Sequence, residues 1–365
     1  MGESGARRCG SSNPVTSRIA AEATTPIFRI GLFGIMAHRI QGEIAHMIDA
    51  CLSRGLSGAS GAITRVGTPV VVCLSLALQG CSIRTMALKT VADSLSEGTS
   101  AFASDDDPEL IREALPFGLK MLEGLLAELP THRPLLRSVT VGFTSYAAGF
   151  IQPEIRGLEE VDLDRAREQK VRARRMFLRA RDYGLRALEV AHPGLRQSLM
   201  QDPGAAMAKT VKADVPDLYW TAAAWGSAIS LGKDQMGLVA DVPIVDALIH
   251  RALDLDEPWE AGSLAEFMIA FETRGESQGG SLDRARTYFN RSMVLAKGTR
   301  ISPLVSMAEN VSITTQDHAE FDKLLDEALA FDSDSHPETR QVNLLAQRRA
   351  RQLKAMAWSL FLEEK

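Results

Sequence analysis

Cysteine stops early in this 365-residue chain: Cys9, Cys51, Cys73 and Cys81 are all there are, and the 284 residues that follow carry none. Disulfides and thiolate metal sites are thereby excluded from everything beyond Cys81, and a thiol-free body suits an oxidising compartment. Aromatic residues are scarce at 6%, while Ala, Leu and Arg recur throughout, which leans towards helix over sheet. After Cys81 no apolar run reaches the ~18 residues of a membrane-spanning helix. Charge of one sign is lacking as well: 41 Lys+Arg stand against 46 Asp+Glu, and a net of −5 gives no reason to expect nucleic acid as a partner. With 45% apolar and 24% charged residues, wholesale disorder is excluded too. Motifs of catalysis are missing. There is no Walker loop, no dinucleotide glycine fingerprint and no Gly-x-Ser-x-Gly elbow, and none of His132, His192, His250, His318 and His336 pairs with another His at metal-ligand spacing. The expectation is a protein that is not an enzyme and needs no metal. Glu309, Asp317 and Glu320 read as solvated or capping groups and not as an acid-base pair.

The composition is uneven. Residues 1–80 hold seven Arg, no Lys and only Glu3, Glu22, Glu43 and Asp49 as acids, leaving 34 basic and 42 acidic residues for 81–365, a net of −8. Gly, Ser and Ala dominate this first segment, which does not read as part of the folded body. Within it, Arg54 and Arg65 precede the short apolar run 69–78, too short to span a bilayer of ~30 Å as a helix but suited to a signal peptide. The run ends in Leu78-Gln79-Gly80-Cys81, which resembles a bacterial lipobox, although Gln79 is unusual at its position. On this reading Cys81 becomes a lipidated N-terminus, residues 1–80 are removed as an extension plus signal peptide, and Met47 offers a start of more ordinary length. The plain alternative is a buried strand with an unremarkable cysteine. Two or more fatty chains on one cysteine would attach the protein durably to a membrane without spanning it.

From residue 83 onward nearly every segment reads as helix. Asp105-Asp106-Asp107-Pro108 is a start signal, a carboxylate cap followed by Pro in the first turn. The helix it opens carries Leu110, Ile111, Ala114, Leu115, Leu119, Leu122 and Leu126 at helical spacing and stops before Pro130. A second apolar helix is predicted from Leu135 to about Ile151, a charged connector over 153–170, and then a helix that ends at His192-Pro193-Gly194. Later helices repeat a scheme: the ends at Ala252, Ser292 and Ala328 are offset by 40 and 36 residues, near the ~34 of a tetratricopeptide unit. Ala285, Phe289 and Ser292 fit its small-large-small pattern, while Phe321 stands where Ala is expected. Each such helix pair buries its apolar face only against a neighbour, so the predicted fold is all-α: degenerate tetratricopeptide-like hairpins stacked into one curved array over 81–365 as a single domain. The last helix, from Leu344 to Phe361, would cap it with Arg348, Arg349, Arg351 and Lys354 facing outward.

Two features point to binding. Nine basic side chains crowd residues 165–186, and Arg165, Arg172, Arg175, Arg179 and Arg186 share one stripe, a dock for an acidic partner or for lipid headgroups if it is more than a solvated face. The second is the run Asp214-Val215-Pro216-Asp217-Leu218-Tyr219-Trp220-Thr221-Ala222-Ala223-Ala224-Trp225-Gly226, where aromatics sit among small residues that allow close helix approach. Such rings line an apolar cavity or pack the repeat.

Three stretches are longer and odder than generic repeat residues: Phe102-Ala103-Ser104-Asp105-Asp106-Asp107-Pro108-Glu109-Leu110, the block from Leu218 to Gly226, and Asn343-Leu344-Leu345-Ala346-Gln347-Arg348-Arg349-Ala350. With Arg179 to Arg186 and Gln316-Asp317, they resemble the T-component family of TRAP transporters (TatT), from about residue 83 to the end. The resemblance implies a tetratricopeptide-like lipoprotein of a diderm bacterium, anchored through Cys81, facing the periplasm and carrying no cofactor beyond that lipid. It further implies a homotrimer with cavities through the helical body, working beside the solute-binding P component of an ion-driven, ATP-independent system and handling hydrophobic organic ligands. Tyr219, Trp220, Trp225 and Tyr146 would then border the cavity, and Arg172, Arg175, Arg179 and Arg186 the partner surface. The competing expectation is a lipid-anchored scaffold for envelope proteins that handles no solute.

Overall fold

The computed structural model describes residues 84–96 and 104–362, and among these every regular element is helical. The lipobox, Cys81 and the domain boundary drawn there lie outside the described residues. Helix α1 covers 84–96 and sets Ala92 into the core. Helix α2 (Pro108–Glu128) begins as expected: the Asp107 carboxylate accepts from the Glu109 and Leu110 amides at 3.0 and 3.1 Å, satisfying donors that the first helical turn leaves free. Ile111, Leu119 and Leu126 are buried, but Leu110 faces out, as do Phe117 and Met121.

Helix α3 (Arg133–Tyr146) runs through a π-helical turn, Ala147–Ile151, into α4 (Gln152–Val161), and α5 (Leu163–Ala191) follows after one residue. The charged connector expected over 153–170 is therefore helix. Asp162 both ends α4 and caps α5, accepting from the Arg165 amide at 3.0 Å, and buried Ile155 and Ala166 anchor the two sides. Helix α5 packs on α3, α4 and α8 with a face of small residues. At Gly184 a Cβ would lie 2.2 Å from Thr221 Oγ1, so α8 can approach this closely only because glycine stands there.

Short helices α6 (Leu195–Gln201) and α7 (Pro203–Met207) lead to α8 (Val215–Ser230), which packs on α9 (Val242–Asp256). A left-handed turn over 259–262 then delivers α10 (Ser263–Phe271), paired with α11 (Leu282–Ala296). The chain closes with α12 (Ser302–Met307), a π-helical turn over Ala308–Ser312, α13 (His318–Leu329) and α14 (Arg340–Ala355). One apolar cluster extends from Ala92 to Met268 and a second from Ile269 to Leu353, with Tyr288 packed against both.

The all-α array of stacked helices is as expected, and ion pairs join its successive units. Glu257 pairs with Arg291, Glu266 with Arg300 and Arg286 with Glu320, each 34 residues apart. Ala285 and Ser292 are fully buried, as the degenerate repeat requires, and Phe321 fills the place of the expected Ala at 0% exposure. The last helix differs from a cap with a solvated outer side. Arg349 is nearly buried, donates to Glu309 and to the Pro153 carbonyl at 3.2 Å, while Arg348 pairs with Glu109 at the start of α2. Lys354 pairs with Asp326 at 2.5 Å. Thus α14 ties the end of the array back to its beginning. The Asn343-to-Gln347 stretch serves the same packing: buried Asn343 donates to the Thr299 carbonyl at 2.9 Å and accepts from the Ile301 amide at 3.2 Å, and Gln347 donates to the Phe331 carbonyl at 2.8 Å.

Candidate functional site

The aromatic block on α8 divides in two. Trp225 points into the core at 1% exposure, its indole N–H donating to Asp241 Oδ2 at 3.0 Å and its ring lying under the Arg181 guanidinium at 5.0 Å. Tyr146 is likewise in the core, with Phe150 as its ring partner at 5.7 Å. Tyr219 and Trp220 are only half buried and lie together, ring centroids 5.1 Å apart and edge-on. Sequence reading missed the rings that join them. Trp259 lies 4.9 Å from Tyr219 and Phe267 6.4 Å, with Phe271 stacked beyond at 5.5 Å. All five rings are half buried.

The turn beneath these rings is strained. Glu260 and Ala261 both adopt left-handed backbone (φ 44° and 52°), followed by Gly262 at φ 90°, a conformation costing about 1–2 kcal/mol at each non-glycine residue. Arg300 pins the turn: its Nη1 donates to the Glu260 carbonyl at 2.7 Å and to Ser263 Oγ, and its Nη2 pairs with Glu266 at 2.7 Å. Burial, and then the charge of Glu266, push the Tyr219 phenol above its ordinary value. Glu260 is exposed, yet lies deep enough that desolvation raises its carboxyl, with Arg300 opposing.

The start of α8 is fixed by a buried charge network that also went unread in the sequence. Asp214 and Asp217, 1% and 2% exposed, face Arg133, Arg137 and His192. Arg137 grips Asp217 through two bonds of 2.6 and 2.9 Å, Arg133 Nε reaches it at 2.7 Å, and His192 Nε2 meets Asp214 at 2.7 Å. Burial alone would raise the Asp214 carboxyl, but the Val211 amide, His192 and Arg133 outweigh it and hold it below its usual range. These charges satisfy one another, and the network positions α8.

The basic stripe on α5 is not uniform. Arg179 pairs with Glu123 at 2.8 Å and lies 5.2 Å over the Phe143 ring, and Arg186 donates to the Pro130 carbonyl at 2.9 Å and covers Tyr183. Both are tied into the fold. Arg172 and Arg175 are exposed and pair with no described residue, and with Arg167, Val171 and Met176 they line a shallow groove along the helix. Among the described residues no group of His, Cys, Asp and Glu is arranged to hold a metal, and no helix is long and apolar enough to cross a membrane.

Comparison with known proteins places these features in a family. A protein of Treponema pallidum (strain Nichols), described as uncharacterized, is 29% identical over 303 residues, covering 78% of this chain and 94% of that protein. The family model for the TRAP transporter T-component matches residues 104–361, from the capped start of α2 to beyond α14. That match takes in the aromatic block, the strained turn and the charge network together, and the chain belongs to the TRAP transporter T-component family.

Proposed function

We propose that this protein is the periplasm-facing lipoprotein subunit of a TRAP-type transport system, that it docks the solute-binding P component, and that it holds or passes a hydrophobic organic ligand at the aromatic cluster around Tyr219. Membership of a transport-component family, which is not an enzyme family, supports the first part. The single observation that carries the ligand role is the cluster of Tyr219, Trp220, Trp259 and Phe267, whose half-buried rings gather apolar surface at one place. Trp225 and Tyr146 lie in the core with other partners and are not part of this cluster. Docking rests on Arg172 and Arg175, the members of the basic stripe with no described partner. A homotrimer, as the family resemblance implies, completes the proposal, with Cys81 as lipid anchor.

The test mixes the full chain with its candidate P component in an analytical ultracentrifuge. A discrete complex with equal copies of each, built on a trimer, supports the reading. A monomer that ignores the partner at tens of micromolar refutes it and leaves the anchored scaffold. For the anchor, Cys81→Ala is expected to abolish metabolic labelling with fatty acid, and persistent labelling would overturn it.

A further inference from the structure

Beside the charge network that fixes the start of α8 lies a cavity that the transport reading leaves unused. The break His192-Pro193-Gly194 ends α5, and Gly194 turns the chain through left-handed backbone (φ 85°) into α6 and then α7. A half-open cavity of about 450 Å³ is bounded by the end of α5 and these two short helices. That volume falls in the range of small-ligand sites, about 300–1,000 Å³. Leu195, Ala205 and Ala206 give it an aliphatic lining, and His192, Ser198, Gln201, Asp202 and Lys209 give it a polar one.

Several polar groups of this corner are already engaged. Ser198 donates to the Gly194 carbonyl at 3.1 Å, and the Asp202 carboxylate caps α7 by accepting from the Ala205 amide at 3.0 Å. Glu189 accepts from the Gly194 and Arg196 amides at 2.6 and 2.9 Å. Lys209, by contrast, is exposed and pairs with no described residue.

His192 belongs to the network and to the cavity at once. Its Nε2 lies 2.7 Å from Oδ2 of the buried Asp214. A carboxylate only accepts, so Nε2 carries the proton, and Nδ1 has no partner among the described residues. Within the network Arg133 and Arg137 already balance Asp214 and Asp217. A second proton on the ring is therefore an excess positive charge, steadied by Asp214 on one side and open to an anion on the other. A cation seated in the cavity would meet Lys209, and a neutral ligand would satisfy neither nitrogen. Asp202 offsets one of the two charges of Lys209 and protonated His192, so the lining matches a single negative charge. The aliphatic residues beside it suit a short hydrocarbon chain.

We infer that the cavity between the end of α5, α6 and α7 binds a small aliphatic monocarboxylate, with its oxygens on Lys209 and on His192 Nδ1 and a proton taken up from solvent by His192. The site stands apart from the aromatic cluster around Tyr219 and does not depend on it.

The experiment titrates the full chain calorimetrically with pentanoate, its neutral analogue pentanamide, and sulfate. Pentanoate is expected to bind about tenfold or more tightly than either, the scale of a charge-assisted hydrogen bond. Its observed heat should change between two buffers of unlike ionisation enthalpy, because the proton comes from the buffer. Lys209→Met, at an exposed side chain, should weaken pentanoate about tenfold with circular dichroism unchanged. His192→Gln, which keeps a donor for Asp214, should remove the buffer dependence; if that variant fails to fold, the buffer dependence of the unaltered chain and Lys209→Met decide. Absence of pentanoate binding, equal binding of pentanamide or sulfate, full affinity in Lys209→Met, or a heat independent of buffer overturns the inference. Displacement of pentanoate by N-phenyl-1-naphthylamine, a neutral apolar probe, would assign it to the aromatic cluster and overturn the inference as well.

Discussion

The two tryptophans of α8 stand five residues apart and should fail in opposite ways. Trp225 is fully buried, and an indole of this kind removes about 200 Å² from water, worth about 5 kcal/mol at ~25 cal/mol per Å². Measured truncations of buried Phe and Trp cost about 3–5 kcal/mol once partial collapse of the cavity is allowed for. The lost indole bond to Asp241 adds little, because Asp241 is half exposed and regains water. Trp225→Ala should therefore lower the melting temperature by on the order of 10 °C in a chain of this size. Trp220 is half buried, so Trp220→Ala should cost about 1–2 kcal/mol, only a few degrees. Apolar-probe binding at low temperature should reverse the ranking, with Trp220→Ala losing it and Trp225→Ala retaining it while folded. Differential scanning calorimetry and a naphthylamine titration on both variants decide the matter. Equal melting temperatures for the two, or loss of probe binding by folded Trp225→Ala alone, would refute the division of roles.

Other outcomes follow from named contacts. Gly184→Ala drives a Cβ onto Thr221 Oγ1 and should cost about 1–3 kcal/mol; adding Thr221→Ala should restore most of it, as read by chemical denaturation. His250 is held above the ordinary imidazole value by its hydrogen bond to Asp246, with burial partly opposing. Its contribution to stability is thus complete below about pH 6.5 and is lost as pH rises through the folded value, so melting temperature should fall across that window and Asp246→Asn should flatten the fall. Charge reversal at Arg172 and Arg175 should weaken P-component binding more at low salt than at high salt without loss of stability, whereas reversal at Arg186, which is tied to Pro130 and Tyr183, should lower the melting temperature.

Local signals carried the sequence reading a long way. A carboxylate cap before proline placed the start of α2, helical spacing found its buried Ile111, Leu119 and Leu126, and the period of small and large residues exposed the repeat. What escaped depends on contacts between distant segments or on backbone states that side-chain type does not announce. The 153–170 segment looked like a connector because its charges outnumber its apolar residues, yet Ile155 and Ala166 suffice to seat two helices. Trp259 and Phe267 are 40 and 48 residues from Tyr219, so only the folded array shows that they meet. Glu and Ala are poor formers of left-handed backbone, and nothing in the sequence marks Glu260 and Ala261 as adopting it. Arg186 and Arg349 read as members of solvated faces because pattern alone cannot tell a free guanidinium from one that grips a distant carbonyl.

The return of α14 onto α2 changes how such an array comes apart. A stack whose units touch only their neighbours frays from its ends, each terminal unit melting at its own free energy. Here the first long helix and the last lean on each other through Glu109 and Arg348, and the π turn and α4 lean on the last through Glu309, Pro153 and Arg349. Neither end can peel away without unsettling the other. Melting should then be a single concerted event from α2 to α14, and a nick or truncation in α14 should be felt as loosened amide protection in α2, more than 200 residues away along the chain.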